Sequence, residues 1–141
     1  MSSGSGVGNI IAISGLAATV FTAYKDAPAD GCRQISKEVA ALQILIDKVA
    51  QYFKSANISS GDRHDGQKIL TDCQNVLEDL NSLMEKYRRL VCFNRRLAFM
   101  GVKLRKEDIT TLRERLISST ILVNGFIRRF AAPTFPLHYG Y

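Results

Sequence analysis

The chain has 141 residues, 46% of them hydrophobic, with ten glycines, three prolines and a formal net charge of +6. That length supports one domain able to bury a core without staples, and leaves no room for a second. Cys32, Cys73 and Cys92 are odd in number and form no CxxC or CxxxC pair, which argues against a disulfide framework and a zinc site and fits a reduced, intracellular setting.

No charged side chain occurs from Met1 to Tyr24, and from Val7 onward the segment is almost wholly apolar or small until Lys25-Asp26. On a helical wheel Ile10, Ile13, Leu16, Ala17, Val20, Phe21 and Tyr24 share one broad face. Gly8, Ala12, Gly15 and Thr19 form a row of small residues at three- and four-residue steps, a pattern that lets helices approach closely. Three fates are open to such a segment. A cleaved signal peptide is poorly supported, since no Lys or Arg precedes the apolar run and Pro28 interrupts the small-residue site Ala27-Pro28-Ala29. A buried first helix fits, and so does a helix that exchanges its bundle contacts for lipid. As a single span, Val7 to Tyr24 is borderline, at about 27 Å against a hydrocarbon core of about 30 Å.

Lys25 to Gly31 gathers Pro28, Gly31 and two aspartates, which is turn chemistry. A second helix is predicted to start near Cys32. In it Ile35, Val39, Leu42, Ile46, Val49, Ala50 and Phe53 recur at helical steps, with Lys37, Glu38, Asp47, Lys48 and Lys54 filling much of the other face. Asn57 to Asp62 reads as a loop whose serines and aspartate can accept from the free amides of the next helix. The third helix follows, with an apolar stripe of Ile69, Cys73, Val76, Leu77, Leu80, Leu83, Met84, Tyr87 and Leu90. The pattern loosens after Phe93 and resumes near Glu107 with Ile109, Leu112, Leu116, Val123, Ile127 and Phe130. Arg128 and Arg129 suit the negative end of that fourth helix.

Neither an internal repeat nor a period-two strand pattern occurs. The expected fold is all-α, an antiparallel up-and-down four-helix bundle with an apolar N-terminal helix over residues 1–131, and an extended or disordered tail over residues 132–141.

Chemistry is sparse. His64 falls in an expected loop and His138 in the tail, and neither has metal-ligand company beyond the adjacent Asp65. No Walker lysine, GxGxxG or GxSxG motif occurs, so no enzyme, cofactor, metal or small-molecule substrate is expected. The informative charge feature is a basic run. Lys86, Arg88, Arg89, Arg95, Arg96, Lys103, Arg105 and Lys106 lie within twenty-one residues with no acidic residue among them. Near an anionic leaflet each such cation contributes on the order of 1 kcal/mol, so the run is a candidate anionic-lipid contact. A solvated basic turn is the plain alternative. Nucleic acid ranks lower, because no binding motif accompanies the interleaved Tyr87, Phe93 and Phe99.

The strings GVGNIIAISGLAATVFTAYKDAPADGCRQISKEVAALQILIDKVAQYF, GQKILTDCQNVLEDLNSLMEKYRRL and VKLRKEDITTLRERL together resemble the fungal N-terminal domain of NLR-like STAND proteins, the HeLo-like group, over roughly Val7 to Phe130. The resemblance implies a non-enzymatic effector domain of fungal self/non-self recognition or programmed cell death. Such domains oligomerise and permeabilise membranes through an N-terminal helix, which would be Gly8 to Tyr24 here. On that reading Ile10, Ile13, Leu16, Val20 and Phe21 would meet lipid. The small row would mediate helix contact, and the cytoplasmic chain would be recruited to the inner face of the plasma membrane. The rival expectation is a homotypic adaptor that never touches lipid.

Overall fold

The computed structural model describes residues 5–27, 31–55, 58–93 and 106–131. They form four helices: α1 (Ser5–Asp26), α2 (Cys32–Lys54), α3 (Ser60–Phe93) and α4 (Lys106–Ala131), with no strand among the described residues. The fold is therefore all-α, a four-helix bundle. Arg95, Arg96, Lys103 and Arg105 of the basic run, His138 and the tail lie outside the described residues.

Helix boundaries follow local chemistry. Gly31 has φ of 86°, a left-handed conformation that costs glycine nothing, and its carbonyl accepts from the Ile35 amide at 3.1 Å to open α2. Ser59 Oγ accepts from the Asp62 amide at 3.0 Å, the side-chain cap that three-residue spacing makes possible. That cap starts α3 at Ser60, inside the stretch read as a loop. His64 is accordingly an exposed residue in the second turn of α3, not a loop residue.

The helices run alternately up and down, but sequence neighbours are not all neighbours in space. α1 packs on α2 and α3, α4 packs on α2 and α3, and α2 barely meets α3, which lies across the diagonal. Glu38 pairs with Arg113, and Phe53 meets Phe126, so α2 and α4 run parallel. Asp79 pairs with Arg115, and Asp62 and Asp65 with Arg129, so α3 and α4 run antiparallel. The bundle is thus two antiparallel hairpins, α1–α2 and α3–α4, stacked face to face with α1 over α3 and α2 over α4.

One continuous core joins them. Ile10, Ile13, Ala17, Val20 and Tyr24 of α1 meet Ile35, Val39, Leu42, Ile46, Val49 and Phe53 of α2, Leu70, Cys73, Leu77, Leu80 and Met84 of α3, and Leu116, Val123 and Phe126 of α4. Leu70 rather than Ile69 is fully buried in α3, and Phe126 joins the α4 stripe. At the lower end, a Cβ on Gly66 would lie 2.8 Å from ring atoms of both Phe53 and Phe126. Absence of a side chain there lets the rings close over α3. The Arg63 guanidinium covers the Phe53 ring at 5.0 Å and donates to the Phe53 carbonyl at 3.0 Å, satisfying one of the orphan acceptors at the end of α2.

Candidate functional site

α1 differs from the other helices in having no charge on any described face before Lys25. Its inward face is core. Ile10, Ile13 and Val20 are completely buried, while Leu16 and Phe21 are half-buried against that core. The five side chains expected to meet lipid therefore line the interior of this conformation, and only their release would bring them to a membrane. No described helix is long and apolar enough to cross a membrane.

Ala12, Gly15 and Thr19 point outward. A Cβ on Gly15 would find nothing within 4 Å, so this row makes no close helix approach within the chain. Thr19 donates to the Gly15 carbonyl at 3.1 Å, which satisfies its hydroxyl locally. Together with Asn9, Ile11 and Thr22, the row forms an exposed face that is uncharged over four turns, and Ile11 is 64% exposed. Gly8 belongs to α1, but its exposure lies outside the description. Among the described residues, Ser14 in the middle of α1 donates to Asp47 of α2 at 2.8 Å.

The C-terminal end of α1 is anchored differently. Tyr24 is fully buried, and its hydroxyl donates to the Leu80 carbonyl of α3 at 2.6 Å. Burial, and secondarily Cys32 nearby, pushes the Tyr24 pKa upward, so the phenol stays neutral and keeps donating.

Beyond Leu80 the third helix continues alongside the start of α4: Met84 is buried, Tyr87 packs on the core, and Lys86 shares a cavity lining with Asp108. α3 has 34 residues against 23 in α2, a difference of about 16 Å at 1.5 Å per residue. Met84 is its last buried residue among those described, and Lys86, Arg88 and Arg89 stand exposed on its last turns with no ion pair among the described residues. Lys106 opens α4. The structure thus brings three cations of the basic run to the end of the bundle where α1 terminates, since Lys86 is less than two turns from Leu80.

Between α3 and α4 runs a shallow groove of two cavities, each about 350 Å³, that meet at Thr111. Asp72, Asp79, Asp108 and Glu114 line it, against Lys86 and Arg115. Arg115 is already engaged by Asp79 at 2.7 Å, so the groove is acidic. Sequence reading missed it because its carboxylates come from two helices far apart in the chain.

No three His, Cys, Asp or Glu side chains converge on a metal position among the described residues. The Cys73 thiol is pushed up to about 12 by burial, with the Asp72 carboxylate adding to the effect and its own backbone contact opposing it, so no thiolate nucleophile forms at neutral pH. Compared with known protein families, curated proteins and solved structures, the chain matches none.

Proposed function

We propose that this chain is a non-enzymatic effector domain of the HeLo-like kind, acting in fungal self/non-self recognition or programmed cell death. In this reading it self-associates and engages the inner face of the plasma membrane through α1. The single observation that carries it is the charge-free outward face of α1. A soluble helix ordinarily dresses its exposed face with charge, and α2, α3 and α4 all do so. An exposed face with none suits a second surface or lipid. The exposed Lys86, Arg88 and Arg89 support the same reading. They sit at the end of the bundle where α1 is tied down, so cations gripping anionic headgroups would hold the pivot of α1 against the bilayer.

Dye release from anionic and neutral vesicles tests it. Deleting α1 would open the core, so the informative variant is Ile11→Glu with Thr19→Glu, which changes exposed positions only. Carboxylates at membrane depth cost about 2.5–3.5 kcal/mol each, so this folded variant should lose release while keeping its helical circular dichroism. Release unchanged by it, or equal on neutral vesicles, would refute the membrane role.

The complete burial of Ile10, Ile13 and Val20 favours a second reading, a homotypic interaction module that uses the outer face of α1 without lipid. Loss of self-association by the same variant in lipid-free buffer, with no vesicle binding by the unaltered chain, would select it.

A further inference from the structure

Among the described residues α1 packs on α2 and α3 but not on α4, so α4 occupies the corner of the bundle diagonal to α1. The outermost line of α4 runs through Glu114, Ile117, Ile121, Gly125 and Arg128, all exposed and spaced at helical steps. We propose that this line is a self-complementary interface, through which two copies of the chain pair antiparallel about a two-fold axis at Ile121. The contact lies across the bundle from α1, so it goes beyond the membrane reading and leaves the outer face of α1 uncovered in both copies.

Charge complementarity carries the argument. A helix that pairs with its own copy about a two-fold axis needs a pattern whose two halves complement each other around one centre, because residue i meets residue j of the partner and j meets i. Ile121 is such a centre, and at 66% exposure it is the most exposed large apolar side chain described. Glu114 and Arg128 each lie seven residues from it, about 10 Å along the axis, so each carboxylate comes level with the partner's Arg128. Ile117 and Gly125 each lie four residues from it, so the isoleucine faces a glycine at which a Cβ would meet nothing within 4 Å. No charged side chain intervenes from Leu116 to Ile127. Arg113, Arg115 and Arg129 are all engaged by carboxylates of α2 or α3, whereas Glu114 and Arg128 have no ion pair among the described residues. Neither of the longer segments outside the described residues can serve both charges: 94–105 holds cations but no Asp or Glu, and 132–141 holds no Lys, Arg, Asp or Glu. A second copy supplies cation, apolar centre and carboxylate in the required order.

Sedimentation of the full chain over a concentration series, without lipid, tests it. The unaltered chain should reach a dimer, and the Ile11→Glu, Thr19→Glu variant should keep that dimer, which separates this contact from any made through α1. In that background Ile121→Glu sets like charges on the axis and should lose the dimer with its helical circular dichroism unchanged, since the side chain is exposed. Glu114→Arg and Arg128→Glu each set like charges opposite one another at both symmetry-related positions, and each should weaken pairing on the order of tenfold. Both substitutions in one chain restore opposite charges and should restore the dimer, while a mixture of the two single variants should form a one-to-one heterodimer. A chain that stays monomeric throughout, a dimer lost in the α1 variant, Ile121→Glu pairing unchanged, or a doubly substituted chain as weak as the single ones would each overturn the proposal. Dye release from vesicles is read separately on the Ile121→Glu substitution alone, which leaves α1 unaltered, so failure of this pairing and failure of the membrane reading are distinguishable.

Discussion

The two ends of the bundle use arginine in opposite ways. At the lower end Arg63 covers Phe53 and holds its carbonyl, while Arg129 lies over Phe126 at 5.5 Å and reaches Asp62 and Asp65 at 3.2 and 3.1 Å. Each of these two arginines has an aromatic face and an oxygen acceptor. At the upper end Lys86, Arg88 and Arg89 have neither among the described residues, while Tyr24 donates to Leu80 and Arg113 pairs with Glu38. The contrast separates cations that stabilise the fold from cations left for something else. Composition could not separate them, because the two groups are chemically alike.

The comparison can be broken most severely at the lower end. Phe126→Ala removes the ring that meets both Phe53 and Phe130 and should cost about 3–5 kcal/mol in chemical denaturation. Arg63→Gln should cost about 1–2 kcal/mol, through a lost charge-assisted hydrogen bond and ring contact. Next comes alkaline pH, which acts on the middle and upper end. Cys73 ionises near 12 in the fold against an ordinary value of 9.0, and Tyr24 is likewise raised above its ordinary 10.0. Above pH 9 the unfolded chain sheds protons that the folded chain keeps, so stability falls as pH rises. The slope should approach about 1.4 kcal/mol per pH unit for each group, and Cys73→Ala should flatten its share. Smallest of all, Arg88→Gln with Arg89→Gln should move stability by less than about 0.5 kcal/mol, since these side chains are exposed and hold no ion pair among the described residues. A larger loss there would erase the contrast.

Much of the architecture was legible in the sequence, because three- and four-residue periodicity reports which face of a helix is buried. α2 is the clearest case: six of its seven expected core positions are buried, and Ala50 is half-buried. What periodicity lacks is direction in space. It marked Gly8, Ala12, Gly15 and Thr19 as a contact row, yet the described members face solvent, since a row of small residues looks the same whether it is covered or bare. Likewise Arg129 was legible as a helix terminus but not as the partner of Asp62 and Asp65, which lie more than sixty residues away. The start of α3 was misplaced because Ser59 and Asp62 serve a turn and a cap equally well until the hydrogen bond is seen.

Stacking two local hairpins across a parallel seam also sets how the molecule comes apart. Within each hairpin the helices follow one another directly in the chain, so each closes at modest loop entropy and should form early. The seam, crossed by Tyr24–Leu80 and by Glu38–Arg113, joins distant segments and should be consolidated last. Native-state hydrogen exchange should then resolve two cooperative units, α1–α2 and α3–α4, rather than four separate helices. In that case α1 would leave α3 together with α2, as half of a parting clamp.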